Sequence, residues 1–118
     1  MRTNIKATVI ELTPSLADYV NSKMGMLDKL LVHFDQVYAD VEVGKRTKHH
    51  KTGDWFFAEA NLHASGHIFR NVVEEADLYA AIDEMKDNMA EEIRTYEKRQ
   101  NTLLRKGQRL IKGFLLRR

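Results

Sequence analysis

The chain has 118 residues, no cysteine and a formal net charge of only +2, from 19 basic and 17 acidic side chains. It fits one domain, above the ~70 to 80 residues below which a core usually needs a disulfide or metal staple, and no apolar run approaches the ~18 residues needed to cross a bilayer. The start Met1-Arg2-Thr3-Asn4 has no apolar core resembling a signal peptide and the lack of cysteine fits a reducing compartment, so a soluble cytoplasmic protein is expected.

Arg2 to Glu11 alternates as a strand, with Ile5, Ala7 and Val9 facing one way. In Leu12-Thr13-Pro14-Ser15, Thr13 can cap a helix and Pro14 suits the first helical position, where its missing N–H costs nothing. From there Leu16, Val20, Met24, Leu27, Leu31 and Phe34 recur on one buried stripe, with Asp18 and Lys29 opposite. Val37, Ala39, Val41 and Val43 alternate with Tyr38, Asp40 and Glu42, the pattern of a half-buried strand. The strand dissolves into a basic loop from Lys45 to Asp54. A second strand starts at Trp55, with Phe56, Ala58, Ala60, Leu62 and Ala64 on one side and Phe57, Glu59, Asn61 and His63 on the other. Ser65-Gly66 turns the chain, and His67 to Glu75 returns as a further strand of an antiparallel meander.

Asp77 is a good N-cap for a long helix with Leu78, Ile82, Met85, Met89, Ile93 and Tyr96 on its apolar stripe. Acidic residues crowd its first turns and basic ones its end, as the helix dipole prefers. The expected fold is therefore α+β, in the order β-α-β-β-β-α. One four-stranded sheet carries both helices on a single face, followed by a basic C-terminal tail. The other sheet face is left half-wet, and Tyr38, Trp55 and Phe57 are placed on it.

The near-neutral total hides a polarised chain. Residues 1–93 carry ten basic and sixteen acidic side chains, or −6, whereas residues 94–118 carry nine and one, or +8, which sums to +2. From Lys98 to Arg118 there is no acid at all. Such a segment steers towards polyanions, with an affinity that falls with salt. This shift divides the chain into a domain at 1–100 and a tail at 101–118. In the tail Leu103, Leu104, Gly107, Leu110, Ile111, Phe114 and Leu115 share one helical face, and Arg105, Lys106, Arg109 and Lys112 take the other. A basic amphipathic helix can dock on RNA or protein, lie on an anionic membrane, or stay solvated. Cations clustered in one acid-free run favour a polyanion over a membrane. Gly107 and Gly113 each weaken an isolated helix by roughly 1 kcal/mol relative to alanine, so the tail is expected to order on binding.

The run Asp77-Leu78-Tyr79-Ala80-Ala81-Ile82-Asp83, after the strand His67 to Glu75 and the helix entry Glu11-Leu12-Thr13-Pro14, resembles the ribosome hibernation-promoting factor and protein Y family. The resemblance covers roughly residues 2 to 100. It implies a non-enzymatic stationary-phase protein that binds the small ribosomal subunit between head and body, where mRNA and the tRNA anticodon ends would lie. It would block translation by occupancy, using basic side chains of both helices against rRNA phosphates.

Carried over residue by residue, Lys23 falls where the family has a basic residue on the first helix, with Lys29 further along. At Asn88, Glu91 and Thr95 this chain departs from a pattern that commonly has Lys or Arg. The contact surface is therefore expected to move towards Arg94, Lys98, Arg99 and the tail residues Arg105, Lys106, Arg109 and Lys112. Lys86 is a further candidate, as are Arg46, Lys48 and Lys51 of the basic loop beside the aromatic Trp55 and Tyr38. The chain looks like a short form without the family's second domain, so pairing of ribosomes would need another protein, and the free chain is expected to be a monomer.

Other chemistry finds little support in the residues. His49, His50, His63 and His67 lack the four converging ligands of a structural zinc site. Glu74, Glu75 and Asp77 have no accompanying nucleophile or phosphate loop, so capping is the better reading. No cofactor, metal or membrane partner is expected. The alternative function is a stand-alone RNA-binding or RNA-chaperone module acting on free structured RNA.

Overall fold

A computed structural model describes residues 1–47 and 53–116, with side chains as far as residue 113. The elements follow the expected order: β1 (Arg2–Thr8), α1 (Pro14–Gly25), β2 (Tyr38–Arg46), β3 (Trp55–Ala64), β4 (His67–Glu75) and α2 (Leu78–Leu116), with a short 3-10 turn at Asp28–Leu30. The sheet runs β1-β2-β3-β4. β1 lies parallel to β2 with Ile5 opposite Val41, and β2, β3 and β4 form the antiparallel meander, with Val41 opposite Ala60 and Ala60 opposite Asn71.

The core lies between the sheet and both helices. Leu16, Val20 and Met24 of α1 and Ile82, Met85, Met89 and Ile93 of α2 pack on Ala39, Val41, Val43, Ala58, Ala60, Leu62, Phe69 and Val73. Small alanines on β3 let the helices approach closely, and the two methionines fill the irregular space beneath α2. The β3–β4 turn takes left-handed backbone at both Ser65 (φ 50°) and Gly66 (φ 79°), the geometry that matches the twist of a two-residue hairpin. Ser65 also ties this turn to the loop before β2: its N–H donates to the Asp35 carbonyl at 2.7 Å and its Oγ accepts the Asp35 N–H at 2.8 Å.

Three expectations need correction. β1 stops at Thr8, because Val9 adopts φ 70°, which no strand tolerates, and is 79% exposed rather than packed with Ile5 and Ala7. The stripe from Leu16 to Phe34 is not one helix. α1 ends at Gly25, and the chain winds on through hydrogen bonds to the third residue back, from Leu27 N to Met24 O, Leu30 N to Leu27 O and Phe34 N to Leu31 O. These tighter turns still deliver Leu27 and Leu31 to the core.

Phe57 does belong to the open sheet face, but it is only 2% exposed. Its ring lies over Gly44 on β2, where a Cβ would come within 2.7 Å of the ring, and the Arg46 guanidinium covers it 4.1 Å from the centroid. An aromatic that looked wet is thus sealed between a glycine and an arginine.

α2 runs 39 residues and continues without a break past residue 100. At 1.5 Å per residue that is about 58 Å, against about 33 Å for a ten-residue strand, so the helix overhangs the sheet by about 25 Å. The molecule measures 69 × 32 × 18 Å in consequence. The overhang carries the core stripe into solvent, leaving Leu103, Leu104, Leu110 and Ile111 exposed.

Candidate nucleic-acid interface

Asp77 starts α2 as an N-cap, its Oδ2 accepting the Ala80 N–H at 3.1 Å. With the apolar stripe anchored on the sheet, 3.6 residues per turn place Asp83, Asp87 and Glu91, then Arg94, Lys98, Arg105, Arg109 and Lys112, along the outward side. Glu84, Arg99 and Lys106 flank that line. The ridge changes sign between Glu91 and Arg94, within about 4.5 Å along the axis, and its basic stretch from Arg94 to Lys112 spans about 27 Å. Arg94, Lys98, Arg99, Arg105, Lys106, Arg109 and Lys112 are all exposed, and none forms an ion pair with another described residue. Their charge is free to meet an external anion.

The cations of the helix layer are in a different state. Lys23 of α1 bridges to Asp83 of α2 at 3.1 Å and lies 5.3 Å from the Tyr19 ring centroid. Tyr19 donates its hydroxyl proton to the same carboxylate and meets Tyr79 edge-on, 4.7 Å between centroids. That hydrogen bond, with burial, pushes the Tyr19 phenol up to about 12. The phenol and Lys23 in turn hold the Asp83 carboxyl below its ordinary value. Lys86 is paired with its neighbour Asp87. Glu84 sits against Glu75, and a hydrogen bond shared by the two carboxyls raises the Glu84 pKa. This layer therefore presents neutralised cations among surplus carboxylates, a poor surface for phosphate.

Asn88, Glu91 and Thr95 lie along the β4 side of α2. Asn88 donates to the Asn71 Oδ1 at 3.3 Å, and Asn71 donates to Glu92 at the same distance. Glu91 and Thr95 line a groove of about 350 Å³ with His67, Phe69, Arg70, Tyr96 and Arg99. The remaining candidates are scattered. Lys29 is exposed on the 3-10 turn beside Asp28, which takes the N-terminal ammonium at 3.1 Å. Arg46 is on the open sheet face, away from the helices, bridged to Glu74 at 2.8 Å. Lys48 and Lys51 lie outside the described residues, as do His49 and His50.

His63 stacks on Tyr38 at 4.3 Å on the open face, with Arg2 5.4 Å from the Tyr38 ring. His67 stacks on Tyr96 beneath α2. Opposite sheet faces thus separate two histidines that flank one turn in sequence. The Tyr19, Lys23 and Asp83 cluster escaped sequence reasoning. Tyr19 and Lys23 are one helical turn apart, which puts them on one face, but nothing local shows that Asp83, sixty residues on, faces them.

The profile of the Sigma 54 modulation protein / S30EA ribosomal protein family matches residues 3–101. The ribosome hibernation promoting factor of Klebsiella oxytoca is 33% identical over 93 residues, covering 79% of this chain and 90% of that protein. The factor of the same name from Escherichia coli K12 is 30% identical over the same coverage. Among solved structures, the N-terminal domain of Protein Y from Thermus thermophilus superposes with a TM-score of 0.68 at 28% identity, covering 81% of this chain and 99% of that one. The chain belongs to the Sigma 54 modulation protein / S30EA ribosomal protein family, to which the ribosome hibernation promoting factors belong.

Proposed function

We propose that this protein silences idle ribosomes by occupying the small subunit between head and body, where it excludes mRNA and the anticodon ends of tRNA. Membership of the hibernation-factor family carries the coarser statement, a ribosome-associated regulator of translation that is not an enzyme. The finer reading rests on one observation: the unpaired cationic ridge from Arg94 to Lys112 on a helix that projects beyond its domain. A rod about 27 Å long with cations on one side suits a channel walled by phosphates, and needs no base-specific contact.

In this reading residues 1–100 fold as the domain that seats the protein, and the helix beyond them reaches along rRNA or ribosomal protein in the cytoplasm. Arg94, Lys98, Arg99, Arg105, Lys106, Arg109 and Lys112 carry the phosphate contacts. Lys23 and Lys86 contribute little, because Asp83 and Asp87 already hold them. Affinity capture of the tagged protein from stationary-phase cells is the test. Recovery of intact small subunits supports the proposal, and recovery of free structured RNA without subunits would replace it with the RNA-chaperone reading.

A further inference from the structure

The two outer strands of the sheet are finished differently. β1 turns Arg2, Asn4 and Lys6 to solvent, polar side chains of the kind that keep a strand edge from pairing. β4, nine residues long, instead shows Ile68 and Val72, 53 and 42% exposed, on either side of Arg70. In the two-residue hairpin Ala64 and His67 exchange both backbone bonds, and the register repeats this at Phe69, Asn71 and Val73. The N–H and C=O groups of Ile68, Arg70 and Val72 therefore point out of the sheet, and no other backbone group among the described residues meets them.

On the helix side this edge runs beneath one lane of α2. Glu84, Asn88, Glu91, Thr95 and Arg99 recur there at helical spacing, all exposed. Asn88 and Glu92 hold the lane to Asn71 of β4, and Phe69 and Tyr96 line the groove of about 350 Å³ between helix and strand. Neither Glu84 nor Glu91 forms an ion pair with another described residue. Glu84 shares a hydrogen bond with Glu75, at the far end of β4. Arg99 is the one basic residue of the lane, and Arg70 is already bridged to Glu59 at 2.9 Å.

We propose that the β4 edge is a docking site for an extended basic segment of a partner protein, which adds as a further strand beyond β4. Strand addition draws affinity from main-chain bonds and specificity from alternate side chains. The added strand continues the pleat, so its residues opposite Ile68 and Val72 share their face and are apolar. The residues between them stand in the groove, facing Glu91, and are lysine or arginine.

The same charges argue against other occupants. Phosphate in the lane would meet carboxylates as far as Arg99, which disfavours RNA. A second copy paired edge to edge, with its two-fold at the middle of β4, would bring the Glu91 and Glu92 carboxylates of both copies together. This surface is not the cationic ridge, so the proposal does not rest on the ribosomal reading.

The test uses the isotope-labelled full chain and a short acetylated peptide that alternates lysine and valine. Titration should shift the amide resonances of β4 and of the α2 lane. Hydrogen exchange at Ile68, Arg70 and Val72 should slow by about tenfold or more, while Phe69 and Asn71, already bonded to β3, change little. Methylating the valine nitrogens, which face β4, should abolish binding, whereas methylating the lysine nitrogens, which face away, should spare it. Glu91→Lys, at an exposed position, should weaken binding about fivefold with unchanged thermal unfolding. Absence of binding, equal effects of the two methylations, or equal binding of a peptide with the same composition in two blocks would overturn the proposal. So would protection of the same amides without peptide, in a dimer seen by sedimentation.

Discussion

Neutralising three outward cations of the α2 ridge, as K98Q/R105Q/R109Q, should reduce the salt dependence of small-subunit binding far more than it reduces stability. None of the three has an ion-pair partner among the described residues, so each is free to neutralise one phosphate. Every phosphate left without its cation lowers the slope of log affinity against log salt by about 0.7 to 0.9, so three lower it by about 2 to 3. Between about 50 and about 200 mM salt, the unmodified protein should therefore lose about 20 to 40 times more affinity than the variant. Glutamine keeps nearly the helix propensity of lysine and arginine, so unfolding free energy should move by no more than about 0.5 kcal/mol. Filter-binding titrations of purified small subunits at three salt concentrations give the slope, and Lys23→Gln is the control. Its ammonium is already bridged to Asp83 at 3.1 Å, and its slope should stay close to that of the parent. A larger effect from Lys23 than from the ridge would refute the reasoning and return the contact surface to the helix layer.

Gly44→Ala should destabilise the fold by about 1 to 3 kcal/mol in urea unfolding, because its Cβ would stand 2.4 Å from the Thr8 carbonyl oxygen and 2.7 Å from the Phe57 ring. Glu84→Gln should raise the melting temperature at neutral pH and have little effect in acid. The folded-state pKa of Glu84 is raised above its ordinary 4.5, so its contribution to stability is present below that value and lost as pH rises through the raised one, which the neutral amide avoids. Near-ultraviolet titration should find one tyrosine ionising at about 12 rather than 10.0, and Asp83→Asn should bring it back towards the ordinary value. The stability owed to that phenol is present below pH 10.0 and lost as pH rises through about 12.

Alternation and hairpin chemistry made β3, β4 and the Ser65-Gly66 turn legible residue by residue, since period two and a positive-φ pair leave few other solutions. The buried face of α2 was equally plain from its 3.6-residue stripe. What lay beyond reach were contacts set by elements distant in sequence. Alternation puts Phe57 on the open face, but that Gly44 lies under its ring and Arg46 over it follows only from strand register. The stripe through Leu27 and Leu31 hid the end of α1, because 3-10 turns keep the same side chains inward. For the candidate interface, the run of cations was visible in the sequence, yet their standing was not. Lys23 and the ridge cations look alike there, and only the packing of α1 on α2 distinguishes a lysine already paired from an arginine that is free.

The central claim is occupancy of the mRNA and tRNA path, and competition on purified small subunits tests it most directly. Subunits would be loaded with labelled mRNA and initiator tRNA, and the protein titrated in at low salt. The account predicts that both labels are released as the protein binds, with one protein bound per subunit at the end point, and that K98Q/R105Q/R109Q needs a higher concentration to do so. A stable complex holding mRNA, tRNA and the protein together on one subunit would contradict it.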